Sequence, residues 1–582
     1  MSAVEINRVG FLVLREMRRP IMTLIIVYSV SVLAMTLVPG NTIAGETQHL
    51  SIFHAFYFVT YTVTTTGFGE IPGEFSDAQR LVAMLVLYIG VIAWLYSIGS
   101  IIRLIQNEHF LAAMKEHRFI NDVSRLPSGY ILICGFGDTG SLLARGLSEN
   151  YISAVVIESD ADRIKALALR DYRVHIPGLC ADASIPKHLI EAGIRSPDCN
   201  AIVTVTNDEE INLRIAVLAR LLNPDLHIIA RSKAEVYEEM LASLTDHVAV
   251  IDPFKTFADG LMMSIYNPVM YALDQWLVGA KGASLDKAVC PPHGVWVICG
   301  YGHMGHEIHR VFEAHDIPTV IIDSDIIDID AIPNLISGRP TARTLRRAGV
   351  DKAVGIVAAT ADDGHNLAIL VNARTINPNL FTVVRQNLHQ NEVAFSAADA
   401  DIIMQPSLVT ARRILFKLIA PMLKQLVVHL HKRNEEDKDY INTVIKRLLN
   451  TAGEKTPHMV TMRLNEQEAP AFIHFLKAKS STILLSDLLR DPRGREYNLA
   501  TTALVVNSGA ETIVLPDDHY LVQENDEILL CGRSAAHRLL VASLNNPYVL
   551  HYLITGEDQP RGWVMKWLSR FSGQQKTHNV SA

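Results

Sequence analysis

The chain has 582 residues, 49% of them hydrophobic and 20% charged, with a formal net charge of −8. That length exceeds a single domain, and the acidic balance gives no reason to expect nucleic acid as a partner. Six cysteines (Cys134, Cys180, Cys199, Cys290, Cys299, Cys531) form no CxxC pair and no metal-ligand spacing, so they read as reduced thiols.

Ile21 to Val38 is eighteen residues without a charge, and Leu81 to Ile102 is twenty-two. A helix needs about 20 apolar residues to cross the hydrocarbon core, so both qualify as membrane spans. The first run is longer than the ~7–15 residues of a signal peptide core. Arg8, Arg15, Arg18 and Arg19 precede the first span, and Arg103, Lys115, Arg118 and Arg125 follow the second. Pro39 to Gln79 carries no Lys or Arg, which predicts that both chain ends are cytoplasmic. No Arg-rich helix supplies gating charge for voltage sensing.

Between the spans, Ser51 to Thr64 is apolar and aromatic but too short to cross. It reads as a re-entrant helix, tolerated at membrane depth only where protein or a water-filled cavity surrounds its backbone. It runs into Thr64-Thr65-Thr66-Gly67-Phe68-Gly69-Glu70. That run resembles the signature of potassium channels, in which stacked backbone carbonyls replace the hydration shell of K+. Aiming successive carbonyls at one axis requires left-handed residues, and Gly67 and Gly69 supply them without steric cost. The resemblance implies a selectivity filter over Thr65, Thr66, Gly67, Phe68 and Gly69. Thr65 would complete the innermost ion site, and Phe68 would pack against the pore helix. Thr66, Phe68 and Glu70 depart from the usual Val, Tyr and Asp; Thr66 adds a hydroxyl or stands as a Val isostere. One filter strand per chain implies a homotetramer. Gly90 and Gly99 in the second span are candidate gating hinges, or small residues that let helices pack closely.

Gln106 to Gly129 reads as a charged linker, after which a pattern occurs twice. Tyr130-Ile-Leu-Ile-Cys134 leads into Gly135-Phe136-Gly137-Asp138-Thr139-Gly140, and Val295-Trp-Val-Ile-Cys299 into Gly300-Tyr301-Gly302-His303-Met304-Gly305. Glu158 and Asp323 each follow the first glycine of their copy by twenty-three residues. A strand, a GxGxxG turn, a helix and an acid about 20 residues on form the dinucleotide fingerprint: the glycines bring backbone N–H groups to a phosphate, and the acid holds a ribose hydroxyl. Later landmarks recur as well: Asn212 with Asn366, Asn223-Pro224 with Asn377-Pro378, Arg231 with Arg385.

This repeat resembles the RCK domain, also called TrkA-N or KTN, and a following lobe resembles TrkA-C. The expected fold is a membrane α-helical pore domain (two spans plus a re-entrant pore helix), then two Rossmann-like α/β RCK domains and a small α+β C-terminal lobe. The expected boundaries are a pore domain at 1–105 (spans about 21–38 and 81–102, pore helix 51–64, filter 65–69) and a linker at 106–129. The first RCK domain then takes 130–285, the second 295–450, the TrkA-C-like lobe 455–545 and a tail 546–582.

The resemblance implies a multi-pass plasma-membrane protein (inner membrane if bacterial) that is a ligand-gated potassium channel, not an enzyme. Four chains would form an eight-domain cytoplasmic ring that takes NAD(H) or an adenine nucleotide. The second copy has Arg339 where the first keeps Asp182, so the two nucleotide sites are expected to be inequivalent. Arg231 and Arg385 read as phosphate contacts or as ion-pair partners. Asp182, Asp208 and Glu210 offer oxygens for Ca2+, although Asp208-Glu209-Glu210 equally suits a helix start. The basic amphipathic stretch Arg561 to Arg570 suits contact with membrane lipid or a solvated helix. A Trk/Ktr-type uptake component would need four filters in one chain, and a dehydrogenase would need a catalytic domain after its nucleotide fold.

Overall fold

The computed structural model describes residues 3–43, 46–69, 74–244, 247–277, 285, 288–324, 334–436, 438–453, 457–479, 482–509 and 511–558. Glu70 and the basic stretch at 561–570 lie outside them. The chain divides into two compact units, Met1–Arg125 and Leu126–Ala582.

In the first unit, α1 (Ala3–Leu37) begins well before the first apolar run and continues through Pro20. Composition marks the membrane portion of that helix, whereas the backbone ladder extends beyond it. The short α2 (Ile52–Val63) starts at Ser51, whose hydroxyl accepts from the N–H of His54. The second span, α3 (Asp77–Gln106), opens on a full capping box between Ser76 and Gln79. Outward-facing Ile26, Val30, Leu33, Leu85, Ile89, Ile92 and Leu95 are exposed, as an apolar surface in lipid requires. Met35, Phe58, Val59, Val63 and Val86 pack the three helices together.

The expected linker is mostly helical. Asn107 ends α3, and its side chain accepts from the N–H of Phe110 to start α4 (Glu108–Val123). Its Leu, Ala, Met, Lys and Glu residues are good helix formers despite their charge.

The second unit contains two six-stranded parallel sheets of identical topology. The first comprises β1 (Tyr130–Cys134), β2 (Ala154–Glu158), β3 (Gly178–Cys180), β4 (Cys199–Thr204), β5 (His227–Arg231) and β6 (Val248–Ile251), in the order β3-β2-β1-β4-β5-β6. The second comprises β7 (Trp296–Cys299), β8 (Thr319–Asp323), β9 (Leu335–Ser337), β10 (Gly355–Ala358), β11 (Phe381–Arg385) and β12 (Ile402–Met404), in the order β9-β8-β7-β10-β11-β12. All of β1, β2, β7 and β10 is buried, as expected for strands covered by helices on both faces. The paired asparagines explain the repeated landmarks. Asn212 accepts from the backbone N–H and hydroxyl of Thr206 and donates to the carbonyl of Arg231. Asn366 does the same with Thr360 and Arg385.

Helix α5 (Asp138–Glu149) follows the first glycine turn, while α6 (Pro253–Tyr266) and α7 (Pro268–Leu277) follow the first sheet. Helix α8 (His303–Ala314) follows the second glycine turn, and α9 (Pro406–Ile419) the second sheet. The helix after each sheet crosses to the other copy. Phe254, Leu261, Met262 and Ile265 of α6 share a core with Trp296, Ile298, Met304 and Ile308 of the second copy. Ala411 and Ile414 of α9 join Ile131, Ile133, Leu143 and Leu147 of the first. Gly146 on α5 permits that approach, because a Cβ there would lie 2.7 Å from the Leu415 side chain. Arg413 of α9 also pairs with the buried Asp274 of α7 at 3.2 Å.

A helical hairpin, α10 (Leu423–Glu436) and α11 (Lys438–Ala452), leads to the C-terminal lobe. The lobe's four-stranded sheet includes His458–Arg463, Thr501–Ser508 and Glu527–Gly532, and is followed by α12 (Ser534–Asn545). A further helix, Pro547–Thr555, buries Leu550 in the lobe core, so the lobe continues past the expected boundary at 545.

Candidate functional site

The segment after α2 turns back on the helix end. The carbonyl of Tyr61 accepts from the N–H groups of both Thr66 (2.9 Å) and Gly67 (3.2 Å). Three alternate residues then take left-handed backbones: Thr65 at φ 58°, Gly67 at 63° and Gly69 at 75°. Both glycines were expected there, and Thr65 was not. A threonine in that region carries strain that only an enforced geometry retains. The Thr66 hydroxyl lies 2.9 Å from that of Thr64, so it acts as a hydrogen-bonding brace within the turn. Phe68 differs from expectation. It is 67% exposed rather than packed on α2. Gly90 packs against the pore helix, where a Cβ would come within 2.3 Å of Val63, whereas Gly99 faces open space.

The two glycine turns share one backbone design. Gly135 (φ 100°) and Gly300 (φ 96°) take the left-handed turn. At Gly140 and Gly305 a Cβ would lie 2.1 and 2.0 Å from the carbonyl oxygen of the first glycine, so only glycine lets the helix sit this close. Each predicted acid closes its turn. Glu158 Oε2 accepts from the N–H of Phe136 at 2.6 Å, and Asp323 Oδ2 from that of Tyr301 at 2.6 Å. Burial alone would raise the Glu158 pKa. The N–H groups of Phe136 and Asp160, with Arg163 and Ser159, hold it below the usual value.

At the first turn lies a cleft of about 480 Å³. Gly137, Asp138 and Thr139 line it at the N-terminus of α5, where no side chain caps the helix. Opposite stand Pro406 and Ser407 at the N-terminus of α9, also uncapped by a side chain. Arg231, Lys233 and Arg385 project into the same space. None of the three makes an ion pair among the described residues. Burial lowers the pKa of all three, and at Lys233 the charge of Arg231 adds to that effect. The buried Ser407 hydroxyl and Arg385 Nε have no hydrogen-bond partner. Two helix N-termini and three cations converging on unsatisfied donors form an anion site. Arg231 and Arg385 were expected, each in its own copy. Here the crossover brings Arg385 to the first turn. Lys233 and Ser407 were missed, since neither belongs to a glycine motif.

At the second turn Gly302 and His303 are exposed. Phe254, on the crossing helix α6, is 1% exposed and lies parallel to the His303 ring at 6.2 Å. The Arg385 guanidinium stands 4.8 Å from the centre of that phenyl ring. Phe254 occupies the position that Ser407 holds opposite the first turn: Asp252-Pro253-Phe254 corresponds to Gln405-Pro406-Ser407. Arg339 is exposed and precedes Thr341, the N-cap of the next helix.

The acids considered for Ca2+ are used locally. Asp182 accepts from the Ser184 N–H, Asp208 caps a helix through the N–H groups of Glu210 and Ile211, and Glu210 pairs with Arg214 at 3.6 Å. Among the described residues no cluster of three or more His, Cys, Asp or Glu side chains is arranged to hold a metal ion.

Comparison with known proteins gives two family matches. An ion channel family matches residues 21–107, and the TrkA-N domain family matches 131–251 and 296–406. Potassium channel protein 1 of Methanocaldococcus jannaschii is 25% identical over 202 residues, covering 35% of this chain and 59% of its own. Probable potassium channel protein 2 of the same organism is 27% identical over 205 residues, covering 35% and 58%. The chain thus spans less than two thirds of the length of these curated relatives. The solved GsuK channel bound to NAD has 17% identity and a TM-score of 0.49, covering 92% of this chain and all of that one. The chain therefore joins an ion-channel domain of two apolar helices to tandem TrkA-N domains.

Proposed function

We propose that this chain is the subunit of a homotetrameric, potassium-selective channel whose opening responds to a nucleotide bound at the first glycine turn. The observation that carries the pore reading is the alternation of left-handed backbone at Thr65, Gly67 and Gly69. That alternation aims successive carbonyls the same way, and four such strands around one axis form a cage for a dehydrated K+. The matches to an ion-channel domain and to two potassium channel proteins support it. Basic flanks place both termini in the cytoplasm. The exposed Phe68 ring is seated by a neighbouring subunit.

The nucleotide reading rests on the cleft. Its phosphates sit between the N-termini of α5 and α9, against Arg231, Lys233 and Arg385, and satisfy Ser407 and the Arg385 Nε. An NAD or adenine nucleotide there holds groups from both copies at once, so it favours the arrangement in which the copies are closed on one another.

The test is reconstitution of the purified protein in liposomes with K+ or Na+ gradients, with and without NAD, ADP or ATP. Potassium flux that exceeds sodium flux and changes with nucleotide is the expected result. Absence of potassium flux under every condition overturns the channel reading; flux indifferent to all nucleotides overturns the ligand reading.

A further inference from the structure

A larger cleft, of about 1170 Å³, lies on the opposite end of α5, between the first sheet copy, helix α9 and the C-terminal lobe. Neither glycine turn contributes to it. Arg173, Arg412, Arg533 and Arg538 line it against a single carboxylate, that of Glu149. No ion pair joins any of these four arginines to a carboxylate among the described residues. Arg412 is partly buried, and its guanidinium makes no hydrogen bond there. Arg173 donates to the Glu149 carbonyl and stands 5.5 Å from the centre of the Tyr151 ring, which leaves the cleft's guanidiniums without a carboxylate partner for an anionic occupant to replace. Guanidinium forks match phosphate oxygens in bidentate geometry. Helix α12 also opens into the cleft, with Arg533 at its N-cap and no side chain capping its first turn.

The floor is of a different kind. Leu277, Phe416, Ile419 and Met459 give it an apolar surface, which an inorganic ion would leave uncovered. The volume is at or above the ~300–1,000 Å³ usual for pockets that hold organic ligands.

We propose that this cleft is a second ligand site, which takes a nucleoside polyphosphate or an organic anion of like size, its phosphates on the arginine rim and its ring on the apolar floor. Such a ligand ties the C-terminal lobe to the first sheet copy and is independent of the nucleotide at the glycine turn.

The experiment is calorimetry on the full-length chain carrying Gly137→Asp, which removes the first site. ATP is expected to bind this variant with one equivalent per chain, and inorganic pyrophosphate at least tenfold more weakly. Adding Arg412→Glu with Arg538→Glu is expected to weaken ATP at least tenfold. Arg412→Gln with Arg538→Gln serves the same purpose should the charge reversal fail to fold. Gly137→Asp protein that binds neither ATP nor pyrophosphate overturns the proposal, as does ATP binding unchanged by either arginine pair. Pyrophosphate binding as tightly as ATP also overturns it, because the floor then has no role. Failure of the glycine-turn reading looks different: wild type and Gly137→Asp would then bind ATP alike, and the arginine variants would remove all of it.

Discussion

The two glycine turns have the same strand, the same three glycines at the same spacing, and an acid closing each from the same distance. The first edges a cleft lined with cations; the second has the Phe254 ring stacked beside its His303. Between the glycines the motifs differ, with Phe136, Asp138 and Thr139 in the first and Tyr301, His303 and Met304 in the second. A further difference comes from the helix that crosses over from the other copy, which delivers Ser407 to the first turn and Phe254 to the second. Arg231, Lys233 and Arg385 line the first cleft, and Asp252 acts both on Lys233 there and on His303 of the second turn. A GxGxxG sequence therefore specifies a cradle, and the other copy supplies side chains that face it.

The sharpest way to break this comparison is to place the same substitution in both turns. Gly137 and Gly302 are both N-cap residues at negative φ, with room for a Cβ. An aspartate there caps its helix and sets a carboxylate where phosphate would lie. Gly137→Asp is expected to remove one NAD equivalent per chain, a loss on the order of 100-fold in affinity for that site, and Gly302→Asp none. Calorimetry with matched melting temperatures checks both; equal losses would mean that the second turn is also a site.

Exchanging the two facing residues tests the cause directly. Ser407→Phe is expected to close the first cleft and weaken NAD by at least ~tenfold, about 1.4 kcal/mol. Phe254→Ser removes a fully buried ring from the second core, and chemical denaturation is expected to record a loss of about 3 kcal/mol or more. NAD binding undiminished in Ser407→Phe would show that the residue facing the turn is not what selects.

A smaller effect is expected from Arg385→Ala. Loss of one charge-assisted contact costs about 1.5–3 kcal/mol, hence ~tenfold or more in NAD affinity at the first turn, although the residue belongs to the second copy. No change would place the phosphates away from the crossover.

The sequence announced some of this architecture clearly and some not at all. The two apolar helices, the short helix between them and both sheets were legible, because uncharged runs and buried β-branched strands follow from local solvation. The left-handed Gly67 and Gly69 were legible for a backbone reason. Thr65 was not, since threonine does not advertise a left-handed conformation. Repeated Asn212 and Asn366 proclaimed the duplication, and their role in holding Arg231 and Arg385 at the strand ends emerged only with the fold. Ser407 and Phe254 were silent because their significance lies in packing against residues more than a hundred positions away or across a copy boundary. The lone mark on the chain was the Asp252-Pro253-Phe254 and Gln405-Pro406-Ser407 correspondence.

The smallest effect concerns pH and belongs to the first turn alone. Burial, and then the charge of Arg231, lower the Lys233 pKa, with Arg385 acting in the same direction and Glu209 and Asp252 opposing. The ligand-free fold therefore releases the Lys233 proton at a lower pH than an exposed lysine does. A bound phosphate favours the protonated form, so binding above that lowered pKa takes up a proton, and affinity falls as pH rises. Below it Lys233 is already charged, and affinity is flat from this source. Lys233→Arg keeps the charge with a group that stays protonated across the range, so the alkaline fall-off should shift to higher pH while affinity at neutral pH changes little. NAD titrations from neutral to alkaline pH read this out, and the Ser407→Phe protein should show no such profile. An identical fall-off in wild type and Lys233→Arg would remove Lys233 from the site and leave the phosphate to its arginines.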